Sequence, residues 1–249
     1  GSYPFISLRP YGYTWVEVVH GAADAYLVAQ AKRIAAWRQP CFLGFHHEPE
    51  SGLSEFGTPS AFVAAYRHVR RVFRKNGATN CSWVWIVMGW TFDSRSGRKP
   101  RAYYPGDAYV DWIAADAYNW RFVRPGAVWK PFARVFAPFR RWTLRHRGIP
   151  AMVAETGVVE NPNHPGAKAA WYRGARRTLR RWRNFKAFVY FNSDHGAEAK
   201  GDDAGKRTAP WWFDSSPQSL AAFVSFAHGR YFQAGHCRLR RRCLRAGTR

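Results

Sequence analysis

"CFLGFHHEPE", residues 41–50, decides how the chain is read. Phe42, Leu43, Gly44 and Phe45 form an apolar run without alternation, and two histidines and two glutamates follow at once, with Pro49 between Glu48 and Glu50. An unalternated apolar run predicts a strand buried on both faces, as in parallel sheets covered by helices. Each unpaired charge inside a protein costs several kcal/mol, so the ionisable cluster belongs at the mouth of such a strand and not in its body.

The same kind of run recurs along the chain. Strands are predicted at "PFISL" (4–8), "CFLGF" (41–45), "CSWVWIVM" (81–88), "YVDWIAA" (109–115), "PAMVAE" (150–155) and "KAFVYF" (186–191). Amphipathic helices are predicted near 22–38, 59–75, 129–147, 166–183 and 217–228. Thr58-Pro59 and Ser215 or Ser216 before Pro217 supply helix starts. "DSRSGRKPRAYYPGD" (93–107) is a polar connection, not a hidden strand. The fold class is α/β of the (β/α)8 TIM-barrel type. Only about six βα units are found, so an N-terminally incomplete barrel is expected. An open doubly wound sheet would show a Gly-rich phosphate turn after an early strand, and none is present. One domain is expected over 1–232, with 233–249 a basic, disordered tail.

Composition bounds the function. The 249 residues suit one barrel, and 47% hydrophobic content is ample for its core. The net charge is +23, and 31 of the 39 basic residues are Arg. They are scattered through "RHVRRVFRK" (67–75), "RRWTLRHR" (140–147) and "RRTLRRWR" (176–183), which read as solvated outer faces of helices. A basic nucleic-acid binder is the lesser alternative. No run of about 18 apolar residues suggests a membrane span. Cys41 and Cys81, at strand starts, read as buried thiols. Cys237 and Cys243 fall in the basic tail.

Polar residues gather where strands finish, on the side where parallel α/β folds bind ligands. These are His46, His47 and Glu48; Asp116, Tyr118, Asn119 and Trp120; Glu155, Thr156 and Gly157; and Asn192, Ser193 and Asp194. Two carboxylates on different strands, Glu48 and Glu155, suit glycoside hydrolysis, in which one donates a proton and the other faces the anomeric carbon. The competing reading pairs Glu155 with an arginine. Trp85, Trp90, Trp120 and Tyr118 are candidate sugar-stacking rings, and Asn192 is a candidate hydroxyl ligand. A metal centre is disfavoured, because adjacent histidines of an extended segment point to opposite faces. There is no H-E-x-x-H and no G-x-S-x-G. His164 and His195 read as surface residues.

"GFHHEPE", "YYPGDAYVDWIAADAYNW", "PAMVAETG" and "KAFVYFNS" together resemble the clan-A glycoside hydrolases, most of all the family-26, β-mannanase-like enzymes. The resemblance covers roughly residues 3 to 232. It implies Glu48 as acid/base, His47 as the active-site histidine before it, Glu155 as nucleophile, and Tyr118 as the tyrosine that holds Glu155. It also implies a retaining endo-β-glycosidase that is secreted and monomeric and needs no cofactor or metal. Its partner would be a polysaccharide, with no specific nucleic acid and no membrane. The chain opens on "YPFISL" with no leader to read, and "PFISL" aligns with a third barrel strand. Glu50 stands where mannanases of this family carry Asn, which leaves mannan, mixed-linkage glucan and xylan open as substrates. A non-catalytic carbohydrate-binding relative is the alternative from another class.

Overall fold

The computed structural model describes residues 3–10, 12–195, 209–229 and 231. The tail at 233–249, with Cys237 and Cys243, lies outside the described residues. Six strands form one parallel sheet in sequential order: β1 (Phe5–Leu8), β2 (Cys41–Phe45), β3 (Cys81–Met88), β4 (Trp112–Asp116), β5 (Ala151–Glu155) and β6 (Phe185–Phe188). This is an incomplete (β/α)8 barrel. Among the described residues the sheet does not close on itself, since β1 and β6 are its edges.

Helices cover one face. They are α1 (Trp15–Val19), α2 (Asp24–Trp37), α3 (Leu53–Phe56), α4 (Pro59–Lys75), α5 (Phe132–Thr143), α6 (Ala167–Arg181) and α7 (Pro217–Ala227). The predicted caps hold: Thr58 Oγ1 accepts from Ala61 N–H at 3.2 Å, and Ser216 Oγ accepts from Ser219 N–H at 3.2 Å. One connection differs from the repeating pattern. Between β3 and β4 the chain makes only short 3-10 turns, the polar stretch expected there. A short antiparallel pair, β7 (Asp194–His195) and β8 (Ala209–Pro210), follows the sheet and was not expected.

Residue parity divides the core. Trp83, Trp85 and Val87 of β3 join the large helix-side cluster, whereas Val84 and Ile86 face the barrel interior with Trp112, Ala114, Met152 and Ala154. Register fixes this division, because β3 pairs Val84 with Trp112 and Ile86 with Ala114. A one-residue slip would turn every side chain to the other face.

The motif residues before β4 are structural. Asp111 Oδ2 accepts from Trp83 N–H at 2.8 Å, and its Oδ1 meets Arg70 of α4 at 3.2 Å. Asp107 accepts the Tyr104 hydroxyl at 2.6 Å and contacts His146 at 3.0 Å. The expectation of buried thiols is corrected, since Cys41 and Cys81 are a register pair of β2 and β3 and form a disulfide.

Gly89, just past β3, lets two strand exits approach. A Cβ there would lie 2.5 Å from Ala117 Cβ and 3.3 Å from the Asp116 carbonyl oxygen. Gly89→Ala is expected to destabilise by about 1–3 kcal/mol through overpacking. In α6, a Cβ on Gly174 would have Arg177 Nη2 as its nearest neighbour at 4.0 Å, so Gly174→Ala is expected to stabilise by about 0.4–1 kcal/mol. Urea denaturation of both variants measures the contrast.

Candidate active site

The exit of β2 is built on unusual backbone. His46 has φ 44° and Glu48 has φ 52°, both left-handed, before Pro49 starts a short turn. Neither is glycine, so each carries a conformational cost of about 1–3 kcal/mol that the surroundings must offset. The result separates the two histidines. His46 is buried, its Nδ1 accepts the Trp15 indole N–H at 3.0 Å, and its ring meets Phe56 edge-on at 4.4 Å. Burial first, then the positive fields of Arg9 and His47, push its pKa down to about 3, so it is a neutral core residue. His47 instead faces the strand mouth: Nδ1 lies 2.9 Å from Ser7 Oγ, and Nε2 lies 4.0 Å from Glu155 Oε1. Among the described residues no three His, Cys, Asp or Glu side chains are grouped to hold a metal ion.

Glu155 ends β5 and is gripped from β4. The Tyr118 hydroxyl donates to Glu155 Oε2 at 2.7 Å. Burial and then the Glu155 charge push the Tyr118 pKa up, so the ring remains a phenol donor. Backbone bonds lock the two exits together: Ala117 N–H donates to the Glu155 carbonyl at 3.0 Å, and Asn119 N–H to the Gly157 carbonyl at 3.0 Å. Thr156 Oγ1 adds a bond to the Ala117 carbonyl at 2.7 Å.

Glu48 lies within the field of Glu155. Its pKa rises from 4.5 to about 7, through burial first, then repulsion by Glu155 and Glu50, with Arg124 opposing. Glu50 is buried, and its Oε1 accepts Met88 N–H at 3.0 Å and the Thr91 hydroxyl at 2.5 Å. Its pKa also rises to about 7, mainly through burial. Asp116 at the end of β4 is buried, and burial and then Glu155, Glu48 and Glu50 hold its carboxyl well above the usual range. Four acids therefore converge at one strand mouth. Burial and like charge there favour the protonated forms of Glu48 and Asp116, and burial that of Glu50.

Aromatic rings stand beside the acids. Tyr118 packs on Trp120 at 5.1 Å and on Trp211 at 5.0 Å between ring centroids. The Arg124 guanidinium carbon lies over the Trp120 ring, 3.5 Å from its centroid. Trp90 is 53% exposed, with Arg98 over its ring at 5.5 Å. Trp85 is a correction: at 0% exposure it sits in the helix-side core against Tyr104 and Trp142, where no sugar reaches. Asn192 is exposed, and its Oδ1 accepts Phe213 N–H at 2.9 Å, which braces the segment after β8. His164 is exposed, as expected.

Trp211 and Arg124 escaped sequence reasoning. Trp211 lies in the short apolar run Ala209–Phe213, outside every predicted strand and helix, and Arg124 is one arginine among many. The "WW" at 211–212 was the available signal, because a loop seldom carries two indoles without burying one. A buried brace holds that segment in place. Lys168 Nζ donates to the Trp212 carbonyl at 2.6 Å and to Ser215 Oγ at 2.9 Å, while Glu160 Oε1 accepts the hydroxyls of Ser215, Ser216 and Ser219.

No protein-family model matches the chain. Endoglucanase H of Acetivibrio thermocellus is 30% identical over 233 residues, covering 90% of this chain and 24% of the relative. The chain thus spans about a quarter of that protein's length. Among solved structures, the catalytic domain of a GH26 endo-β-1,4-mannanase from Bacillus sp. JAMB-750 aligns with TM-score 0.61 at 17% identity, over 92% of this chain and 66% of that one. An endo-β-1,4-glucanase of Xanthomonas axonopodis pv. citri aligns with TM-score 0.55 at 14% identity, over 90% of this chain and 73% of that one. The resemblance to clan-A glycoside hydrolases therefore holds in three dimensions, and the fold is that of their barrel.

The raised carboxyls make stability depend on pH. A group whose folded pKa exceeds its unfolded value binds more protons in the folded state, so stability falls as pH rises between the two values. For Glu50 that window runs from 4.5 to about 7. His46, with its depressed pKa, acts in the opposite direction below about 6.5, so the informative quantity is a difference between proteins. Glu50→Gln is expected to gain on the order of 2 kcal/mol relative to wild type between pH 4.5 and pH 7. Urea midpoints across that range test it, and a pH-independent difference would contradict a protonated Glu50.

Proposed function

We propose that this chain carries the two-carboxylate centre of a retaining endo-β-glycosidase, with Glu48 as acid/base and Glu155 as nucleophile. One observation carries the reading. Glu48 is held up to about 7 partly by the charge of Glu155, while Glu155 itself is held by the Tyr118 hydroxyl at 2.7 Å. Two carboxyls with divided environments are what a double displacement requires. Glu48 gives its proton to the departing glycosidic oxygen as Glu155 attacks the anomeric carbon. The resulting Glu155 ester is then cleaved by a water whose proton returns to Glu48. Tyr118 steadies the attacking carboxylate, and His47, bonded to Ser7, stands on its other side.

Trp120, Tyr118 and Trp90 are the proposed sugar-facing rings. Trp211 backs them from a buried position, and Asn192 braces the segment from which Trp211 comes. The substrate class is a β-linked glucan, mannan or xylan. The name of the endoglucanase relative favours glucan, and Glu50, which stands where family-26 mannanases carry Asn, weighs against mannan. Export is part of the proposal, and the Cys41–Cys81 disulfide supports it, since disulfides persist in oxidising compartments. We take the unit to act as a monomer.

Glu48→Ala and Glu155→Ala are each expected to lower turnover of a soluble β-glucan on the order of 10³-fold, with the far-ultraviolet circular dichroism unchanged. Tyr118→Phe is expected to lose about tenfold or more in kcat. Glu48 must be protonated to act first as an acid, so kcat/KM is expected to decline above about pH 7. Nuclear magnetic resonance of the first-formed product should show retained β configuration. Inversion, or wild-type turnover by either glutamate variant, would sink the reading. Binding to glycans with no cleavage would favour a carbohydrate-binding relative instead.

A further inference from the structure

On the outer side of the barrel, α6 and α7 enclose a groove of about 600 Å³. It is lined by Arg173, Arg176, Arg177, Arg180 and Arg181 of α6, with Ala222 and Ser225 of α7. These arginines follow i, i+3, i+4, i+7, i+8 spacing and so share one helical face. Arg173, Arg177, Arg180 and Arg181 are exposed, and Arg176 Nη1 donates to Ser225 Oγ at 3.1 Å. Among the described residues none of the five lies within ion-pair distance of a carboxylate. Neither α6 nor α7 contains Asp or Glu.

Two arginines of α4, by contrast, have partners within the protein. On α4, Arg70 pairs with Asp111 at 3.2 Å, and Arg67 donates to the Pro105 carbonyl at 2.8 Å. A like-charge pair three or four residues apart costs a helix about 0.2–0.5 kcal/mol. The helix dipole favours Arg180 and Arg181 in the last turn but gives nothing to Arg173, Arg176 or Arg177. The repulsion stands uncompensated within the described protein, and an external anion would relieve it.

The lining of the groove narrows the class of anion. A single-stranded nucleic acid needs aromatic platforms for its bases, and the groove has no aromatic lining. One turn of α6 advances about 5.4 Å, close to the length of one linked pyranose unit. Guanidinium forks match carboxylates two bonds at a time. We propose that this groove binds a linear anionic polysaccharide that carries carboxylates on successive sugar units.

Polygalacturonate serves as the probe, titrated into the full chain at about 50 mM and about 200 mM salt beside a neutral β-glucan and a single-stranded oligonucleotide. The test variant combines Arg173→Gln, Arg177→Gln, Arg180→Gln and Arg181→Gln. A control of equal charge combines Arg33→Gln, Arg71→Gln, Arg74→Gln and Lys75→Gln, all at exposed positions. The expected result is polygalacturonate binding that weakens with salt, drops at least about tenfold in the test variant, and survives in the control. Equal loss in both variants would assign the binding to net charge and overturn the proposal. So would tighter binding of the oligonucleotide, or no polygalacturonate binding at about 50 mM salt. Unchanged β-glucan turnover and circular dichroism in the test variant would show that neither the active site nor the fold was disturbed.

Discussion

Carboxyl groups crowded at one strand mouth repel one another and lose part of their solvent, and this constraint organises the molecule. Glu48, Glu50, Asp116 and Glu155 arrive from three strand exits; the charges of Glu155 and Glu50 raise the cost of ionising Glu48, the other three acids do the same to Asp116, and burial does it to Glu50. The fold answers by giving them unequal surroundings. Asp116 is buried outright, Glu50 is bonded to the end of β3, and Glu155 has a phenol aimed at it. Glu48 is left with a proton, the Arg124 cation nearby and an opening to solvent. Burial, repulsion and the Tyr118 hydrogen bond thus give two chemically identical side chains, Glu48 and Glu155, unlike surroundings.

Bringing Glu48 to that position costs the backbone two left-handed residues, and the histidine pair in "FHHEPE" shows how the cost is met. The His46 ring leaves the strand mouth and enters the core, bonded to Trp15 and packed on Phe56. Gly52 makes room for it, since a Cβ there would lie 2.9 Å from Phe56 and 3.3 Å from His46 Nε2. His46 is therefore an anchor that fixes the turn, and His47 is the partner that faces Glu155. A metal reading of the motif fails for this reason, because the two rings point into different environments.

Much of this was legible from residue order. Continuous apolar runs marked all six sheet strands, and their polar endings pointed to Glu48, Glu155 and Tyr118. Trp85 was misplaced for a physical reason. A strand buried on both faces has no hydrophobic alternation, so its sequence does not say which side faces helices and which faces the lumen. Only the register with neighbouring strands settles that, and it sends Trp85 to the helix side. The same register made a bonded pair of Cys41 and Cys81, two residues 40 positions apart. Trp211 was hidden because it belongs to no periodic element, and its place depends on a brace between Glu160, Lys168 and three serines.

Gly157 links that brace to the acids. Its φ is not positive, so the requirement there is space and not a special backbone conformation. A Cβ at Gly157 would come 2.7 Å from the Trp211 ring and 3.0 Å from Tyr118. Tyr118 can reach Glu155 only if its ring slides between the β5 exit and Trp211, and the missing methyl opens that slot. The glycine two residues after Glu155, the indole held by Lys168 and Glu160, and the phenol on Glu155 thus act as one packed stack. Through it, a buried lysine on α6 helps set the position of a carboxylate that it does not touch.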